Sequence, residues 1–164
     1  MTTSVTFRVY GKPASQGSKR LIGKQMVEQT KRSRPYRALV TDRAIEAAEQ
    51  SAWERIEDMP VAVIILIMKR RPNLHYVAGN PARGLRANAP MTAAPGVPDV
   101  DKTARLILDG ITDAGLWRDD RLVSDLTIRR RWADVDRVVV RVEIIDDATT
   151  VDAATLAEEL GGVA

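Results

Sequence analysis

Eight consecutive apolar residues, Val61 to Met68, limit what this chain can fold into more than any other stretch. The run is far short of the roughly 20 residues that span a bilayer as a helix. Rich in Val and Ile, it reads as a buried central strand, placed at about Val61 to Arg70. An earlier strand covers about Val5 to Tyr10, and a helix of about Tyr36 to Glu57 is predicted with Ala44, Ile45, Ala48, Ala52 and Ile56 along its buried side. A second helix, about Asp101 to Ala114, follows from Ala104, Ile107, Leu108, Ile111 and Ala114, with Gly115 as its stop. Next, Leu122, Leu126, Ile128 and Trp132 share one face of a strand, taken as the core face, and Asp125, Thr127, Arg129 and Arg131 share the other. Ala133 to Asp136 is a turn into a last strand, where Val138, Val140, Val142 and Ile144 alternate with Arg141 and Glu143, expected as an antiparallel hairpin with the strand before it. The order β-α-β-α-β-β predicts an α+β fold, a mixed sheet with helices packed on it, over residues 1–146. Residues 147–164, acidic and without a basic residue, read as a tail or a short peripheral helix. The connection from Arg71 to Pro98 is long enough to suggest a functional or partly disordered loop.

At 164 residues the chain makes one domain of ordinary size. It has no cysteine and one histidine, His75, which fits a reducing cytoplasm. The opening Met-Thr-Thr-Ser-Val lacks the pattern of a secretory signal, so a cytoplasmic protein without membrane attachment is expected. A net charge of +3 understates an asymmetry. Arg8, Lys12, Lys19, Arg20, Lys24, Lys31, Arg32, Arg34 and Arg37 face the single acid Glu28 in the first forty residues. With Gly11, Pro13, Ser15, Gly17 and Ser18 among them, these cations read as a flexible loop able to wrap a nucleic-acid backbone and release counterions. His75, in the long connection with Tyr76, Arg83 and Arg86, reads as a surface residue rather than a general base.

The acids gather elsewhere. Asp99 and Asp101 stand two apart on what reads as an extended approach, which would put both side chains on one side, and Asp101 is placed to cap the helix that follows. Arg105 comes one turn later on the face of Asp101. Asp119 and Asp120 precede the next strand, which can pack beside the helix and bring the two acidic groups together. Two unit charges about 4 Å apart repel by roughly 4 kcal/mol at an effective dielectric of 20, so a cation must offset such a cluster. The donors are hard oxygens, which select Mg²⁺ or Mn²⁺ and set a structural zinc site aside. Taken singly, each motif has a plainer reading: a helix cap, a polar turn, a surface ion pair. Asp109 reads equally as a solvated or packing residue and as support for the acids.

Taken together, Pro98-Asp99-Val100-Asp101-Lys102, Leu108-Asp109-Gly110 and Gly115-Leu116-Trp117-Arg118-Asp119-Asp120 resemble the signature of the RusA family of Holliday junction resolvases. Looser similarity extends from Phe7-Arg8-Val9-Tyr10-Gly11-Lys12-Pro13 to about Asp146. The resemblance implies that Asp99, Asp101 and Asp120 are catalytic carboxylates that bind Mg²⁺, with Asp119 beside them. Arg105 falls where the family has a catalytic lysine; it keeps the positive charge but cannot give up a proton. Lys102 stands where an asparagine is common and could share the cationic role. Arg130 stands where lysine is frequent. With Arg129 and Arg131 it is expected to carry positive charge from the sheet toward the acids, and Lys12, Lys19, Arg20, Lys24 and Lys102 are the other expected DNA contacts.

The expected chemistry is metal-assisted hydrolysis, in which water attacks the phosphate in line, expels the 3′ oxygen and leaves a 5′ phosphate. A four-way junction must be cut twice, so one site per chain implies a two-fold homodimer, as does the resemblance. A bacterial or phage-infected cytoplasm is the expected setting. Trp117 is expected in the core, with the dimer contact as its alternative. Two other readings stand: an endonuclease for another branched DNA, and a DNA-binding protein without activity.

Overall fold

The computed structural model describes residues 2–16, 19–22, 25–28 and 32–145, with side chains for 2–16 and 32–145. The expected acidic tail lies outside these residues, as do Lys24 and the side chains of Lys19 and Arg20.

The apolar run forms β4 (Val61–Arg70), and eight of its residues are buried in unbroken succession. It pairs antiparallel with β6 (Arg137–Ile144) on one side and parallel with β5 (Val123–Ala133) on the other. The strand β1 (Ser4–Tyr10) lies beyond β6, giving one mixed sheet in the order β1-β6-β4-β5. The expected β5–β6 hairpin is therefore corrected: the two strands follow one another in the chain but flank β4. A strand apolar on both faces is stabilised by neighbours on both edges, and this outweighs the short turn between β5 and β6.

Alternation along β4 separates two faces. Val61, Val63, Ile65 and Ile67 join Val138, Val140 and Val142 of β6 and Val5, Phe7 and Val9 of β1 in the main core. Leu66 and Met68 meet Val139 and Ala133 in a small cluster on the opposite face.

Two helices cover the main core face. The first, α1 (Ser33–Ser51), ends six residues before the expected limit. Ala52 turns left-handed at φ 51°, and its N–H bonds back to Ala48 and Glu49. Its buried stripe is Ser33, Tyr36, Val40 and Ala44, so Ile45, 39% exposed, faces outward, contrary to expectation. Ile56 has left the helix and bridges to Trp117. The second helix, α2 (Val100–Asp113), lies within a residue of its expected span, and Gly115 follows with a positive φ of 75°.

Two expectations about loops change. The basic segment contains a small antiparallel ladder, β2 (Lys19–Ile22) with β3 (Gln25–Glu28), rather than loop throughout. The long connection holds three 3-10 turns, Asn73–His75, Val77–Gly79 and Pro81–Arg83, and Tyr76 bridges to Leu85. Among the described residues no helix is long and apolar enough to cross a membrane.

Candidate active site

The start of α2 is built so that its carboxylates stay outside the fold. Thr103 is fully buried and ties its N–H and its hydroxyl to the Asp99 carbonyl, each at 3.0 Å. Asp99 is thereby the N-cap by backbone alone, while its side chain makes no cap bond. Released from that duty, the carboxylate pairs with Lys102 at 2.9 Å and remains about half exposed. This bond, with the charges of Asp99 and then Asp101, holds the Lys102 ammonium above its ordinary range and so firmly protonated.

Asp101 is not the cap that the sequence suggested. It lies exposed in the first turn of α2, where the N-terminal end of the helix dipole favours a negative charge. The alternation of an extended approach therefore does not govern Asp99 and Asp101; helix geometry does. Arg105, one turn on, is exposed and makes no ion pair among the described residues.

The second acidic pair is fixed from below by aromatic residues. Trp117 is fully buried, as expected for a core residue, and its Nε1 donates to Thr112 at 2.7 Å. Trp53 donates to the Leu116 carbonyl at 3.0 Å, and Arg118 N–H donates to Ile56 at 2.8 Å. These bonds set the path into the 3-10 turn Asp120–Leu122, which lies against α2. Asp119 caps that turn through Arg121 N–H at 3.0 Å, while Asp120 is exposed.

The two acidic groups flank opposite ends of the βαβ unit. Arg130 reaches the carbonyl of Pro98. Val123 lies seven residues earlier on the same strand, roughly 23 Å away at an extended rise of 3.3 Å per residue. Asp120 precedes Val123, so it stands toward the far end of α2, where its charge acts on Asp109. Among the described residues no group of three or more acidic or histidine side chains converges as a metal site. The donor chemistry fits a hard divalent cation.

A polar cluster between the helices was only partly visible beforehand. Asp109 accepts from Gln16 at 2.9 Å and from Arg37 at 3.2 Å, and Arg37 also grips Asp113 at 2.5 and 2.7 Å. Burial is the largest influence on Asp109 and raises its pKa; Arg37 pulls it down, and Asp120 and Asp113 push it up. Nothing in the local sequence pairs Gln16 or Arg37 with α2, because these contacts span 93 and 72 residues.

The expected DNA contacts divide. Lys12 is exposed and lines a cavity of about 20 Å³ with Pro98 and Arg130. Lys19 and Arg20 lie on β2, and Lys102 is engaged with Asp99. Arg129 and Arg131 pair with Leu66 and Met68, on the face away from the helices, whereas Arg130 pairs with Ile67 on the helix face. The expectation that all three arginines approach the acids is corrected, since alternation allows only Arg130 to do so.

Against individual curated proteins, the chain gave no match. The family model described as endodeoxyribonuclease RusA matches residues 11–143, a span that takes in both acidic groups, both helices and all of β4 and β5. With most of its length matched, the chain belongs to the RusA family of Holliday junction-resolving endodeoxyribonucleases.

Proposed function

We propose that this protein is a Mg²⁺-dependent, structure-selective endonuclease that resolves four-way junctions by paired symmetric nicks. The observation that carries the reading is the start of α2, where buried Thr103 secures the backbone of Asp99 and leaves two exposed carboxylates beside Lys102 and Arg105. Asp99, Asp101 and Asp120, with Asp119 adjacent, would hold Mg²⁺, for which Mn²⁺ would substitute. When bound, such an ion activates a water and withdraws charge from the phosphate. Lys102 and Arg105 lie within a turn of the carboxylates and would offset the charge that builds on the phosphate as the 3′ oxygen departs. Arginine at position 105 serves this role without proton transfer.

The separation of the acidic groups along α2 supports a site that is completed by a second chain. In a two-fold homodimer, the Asp99–Asp101 end of one chain would face the Asp119–Asp120 turn of the other, and two such sites suit a substrate cut twice. Residues 1–146 would form the endonuclease domain, acting in the cytoplasm. That no three acids gather among the described residues also favours a second reading, a junction-binding protein without activity.

The test is cleavage of a labelled four-way junction and a matched duplex in Mg²⁺ by wild type and Asp101→Asn. Paired nicks confined to the junction and lost in the variant, with binding retained, are expected. Equal binding in EDTA with no cutting by the wild type would leave only the second reading.

A further inference from the structure

The segment that delivers Asp99 is bound to the sheet by cations acting on its backbone. Arg71 donates to the carbonyls of Pro90 and Met91, at 2.5 and 2.8 Å. Trp132 N–H donates to Thr92 at 3.1 Å, and Ala93 bridges to Arg131. Lys69 reaches Pro95 at 3.4 Å. Arg130 completes the series, one guanidinium nitrogen donating to Gly96 and the other to Pro98, the residue before Asp99. Of residues 91–98 only Ala94 is buried and most of the others are exposed, Val97 at 77%, so side-chain burial holds this stretch at one point. Its position is otherwise set by polar ties to β4 and β5, and the last of them is Arg130.

We propose that Arg130 is a positioning residue: its guanidinium clamps the carbonyls on either side of Val97 and so fixes where the Asp99 carboxylate stands, rather than contacting DNA. The fork geometry suits this task, because two donors of one rigid plane hold two acceptors two residues apart. A lysine at the position would keep the charge but hold one carbonyl at a time. The clamp also places a second positive charge near Asp99 without a direct ion pair, so among the described residues the carboxylate's one ion-pair partner is Lys102. Arg129 and Arg131, on the opposite face, have no part in it.

This role rests on the proposed metal-dependent cleavage, and the experiment separates the two. Wild type, Arg130→Gln, Arg130→Lys and Asp101→Asn are compared in three assays: Mn²⁺ binding without DNA, the Mg²⁺ dependence of junction cutting, and junction affinity in EDTA against salt. Arg130→Gln is expected to weaken Mn²⁺ binding about tenfold and to raise the Mg²⁺ needed for half-maximal cutting in step, as losses of groups that orient a ligand do. Arg130→Lys should recover part of both, and the salt slope of EDTA binding should not change in either variant. A slope reduced by about one in Arg130→Gln, with Mn²⁺ binding intact, would make Arg130 a phosphate contact and overturn the proposal. Unchanged Mn²⁺ binding with an unchanged slope would overturn it too. Should the wild type neither bind Mn²⁺ nor cut, the cleavage reading falls, and the role of Arg130 with it.

Discussion

The helices α1 and α2 cover the same face of the sheet and touch each other, yet they are held there by different means. In α2, six of 14 residues are buried: Thr103, Ala104, Leu106, Ile107, Gly110 and Ile111 form a broad stripe set into the core. In α1, only four of 19 are buried, in the narrow series Ser33, Tyr36, Val40 and Ala44. Burial of a Leu or Ile contributes about 1.5–3 kcal/mol, so α2 is anchored by its own side chains, which leaves its first turn able to carry exposed charge. The longer helix packs on β1 and the main core through that series and adds a close approach to α2 and a polar clamp at Arg37. The comparison teaches that the site-bearing element is the more deeply buried one, and that α1, itself packed on β1, braces it.

The largest effect should come from breaking the close approach. A Cβ on Gly110 would stand 2.8 Å from Val40 Cγ1 and 3.3 Å from the Arg37 carbonyl, and Val40 is fully buried. Gly110→Val is expected to destabilise the fold by about 3 kcal/mol, since the brace must move bodily. In thermal unfolding this is a fall of roughly 6–12 °C in Tm for a domain of this size. Gly110→Ala should lose less, and adding Val40→Ala should restore part of that loss, a positive coupling in a double-mutant cycle. Additive losses would mean that the helices do not brace one another through this contact.

The same contrast explains what could be read in advance. The α2 periodicity is sharp because large aliphatic residues alternate with charged ones, and Gly115 marks its end. In α1 the alanines at 44, 47, 48 and 52 suit any face, and the helix stops at Ala52, a residue type that gives no warning of a left-handed turn. The span of β4 was plain from its apolar run, but its neighbours were not, because a short turn suggests a local hairpin whether or not another strand intervenes. At the site, Asp99, Asp101, Asp119 and Asp120 stood out as residue types at a spacing. Which of them caps the helix is settled by Thr103, whose bonds to the Asp99 carbonyl span only four residues, whereas the hold of Arg130 on the approach depends on contacts across 32 or more residues and leaves no mark in the local pattern.

A smaller effect should follow from opening the polar clamp. Arg37 pairs with Asp113 and Asp109 while itself 38% exposed, so screening limits its worth. Arg37→Met keeps the apolar stem and should lower stability by about 1 kcal/mol, by removing the cation shared by Asp109 and Asp113 and leaving Asp109 with Gln16 as its donor. Measured in 1 M NaCl, the gap between wild type and variant should shrink, because the ion pairs are screened. A loss of about 3 kcal/mol at either salt would place the bracing in this clamp and not in the Gly110 contact.

The smallest effect decides whether burial or the brace governs Asp109. Its carboxyl is raised above the ordinary aspartate range, first by burial, against the opposing pull of Arg37 and Gln16, with Asp120 and Asp113 adding to the rise. A group whose folded-state pKa lies above its unfolded value favours the fold most when protonated. That contribution is full below the unfolded value of about 3.9 and is lost as pH rises through the folded one. Relative to Asp109→Asn, which cannot ionise, the wild type should therefore gain stability as pH falls from 7 to 4, by no more than about 2 °C in the Tm difference. The comparison belongs in EDTA, so that no bound cation adds its own field near Asp120. If the wild type instead loses ground to the asparagine variant on acidification, the ionised carboxylate is the stabilising form. Arg37 would then outweigh burial, and α1 would be the element that sets the charge state of an α2 side chain lying within the field of Asp120.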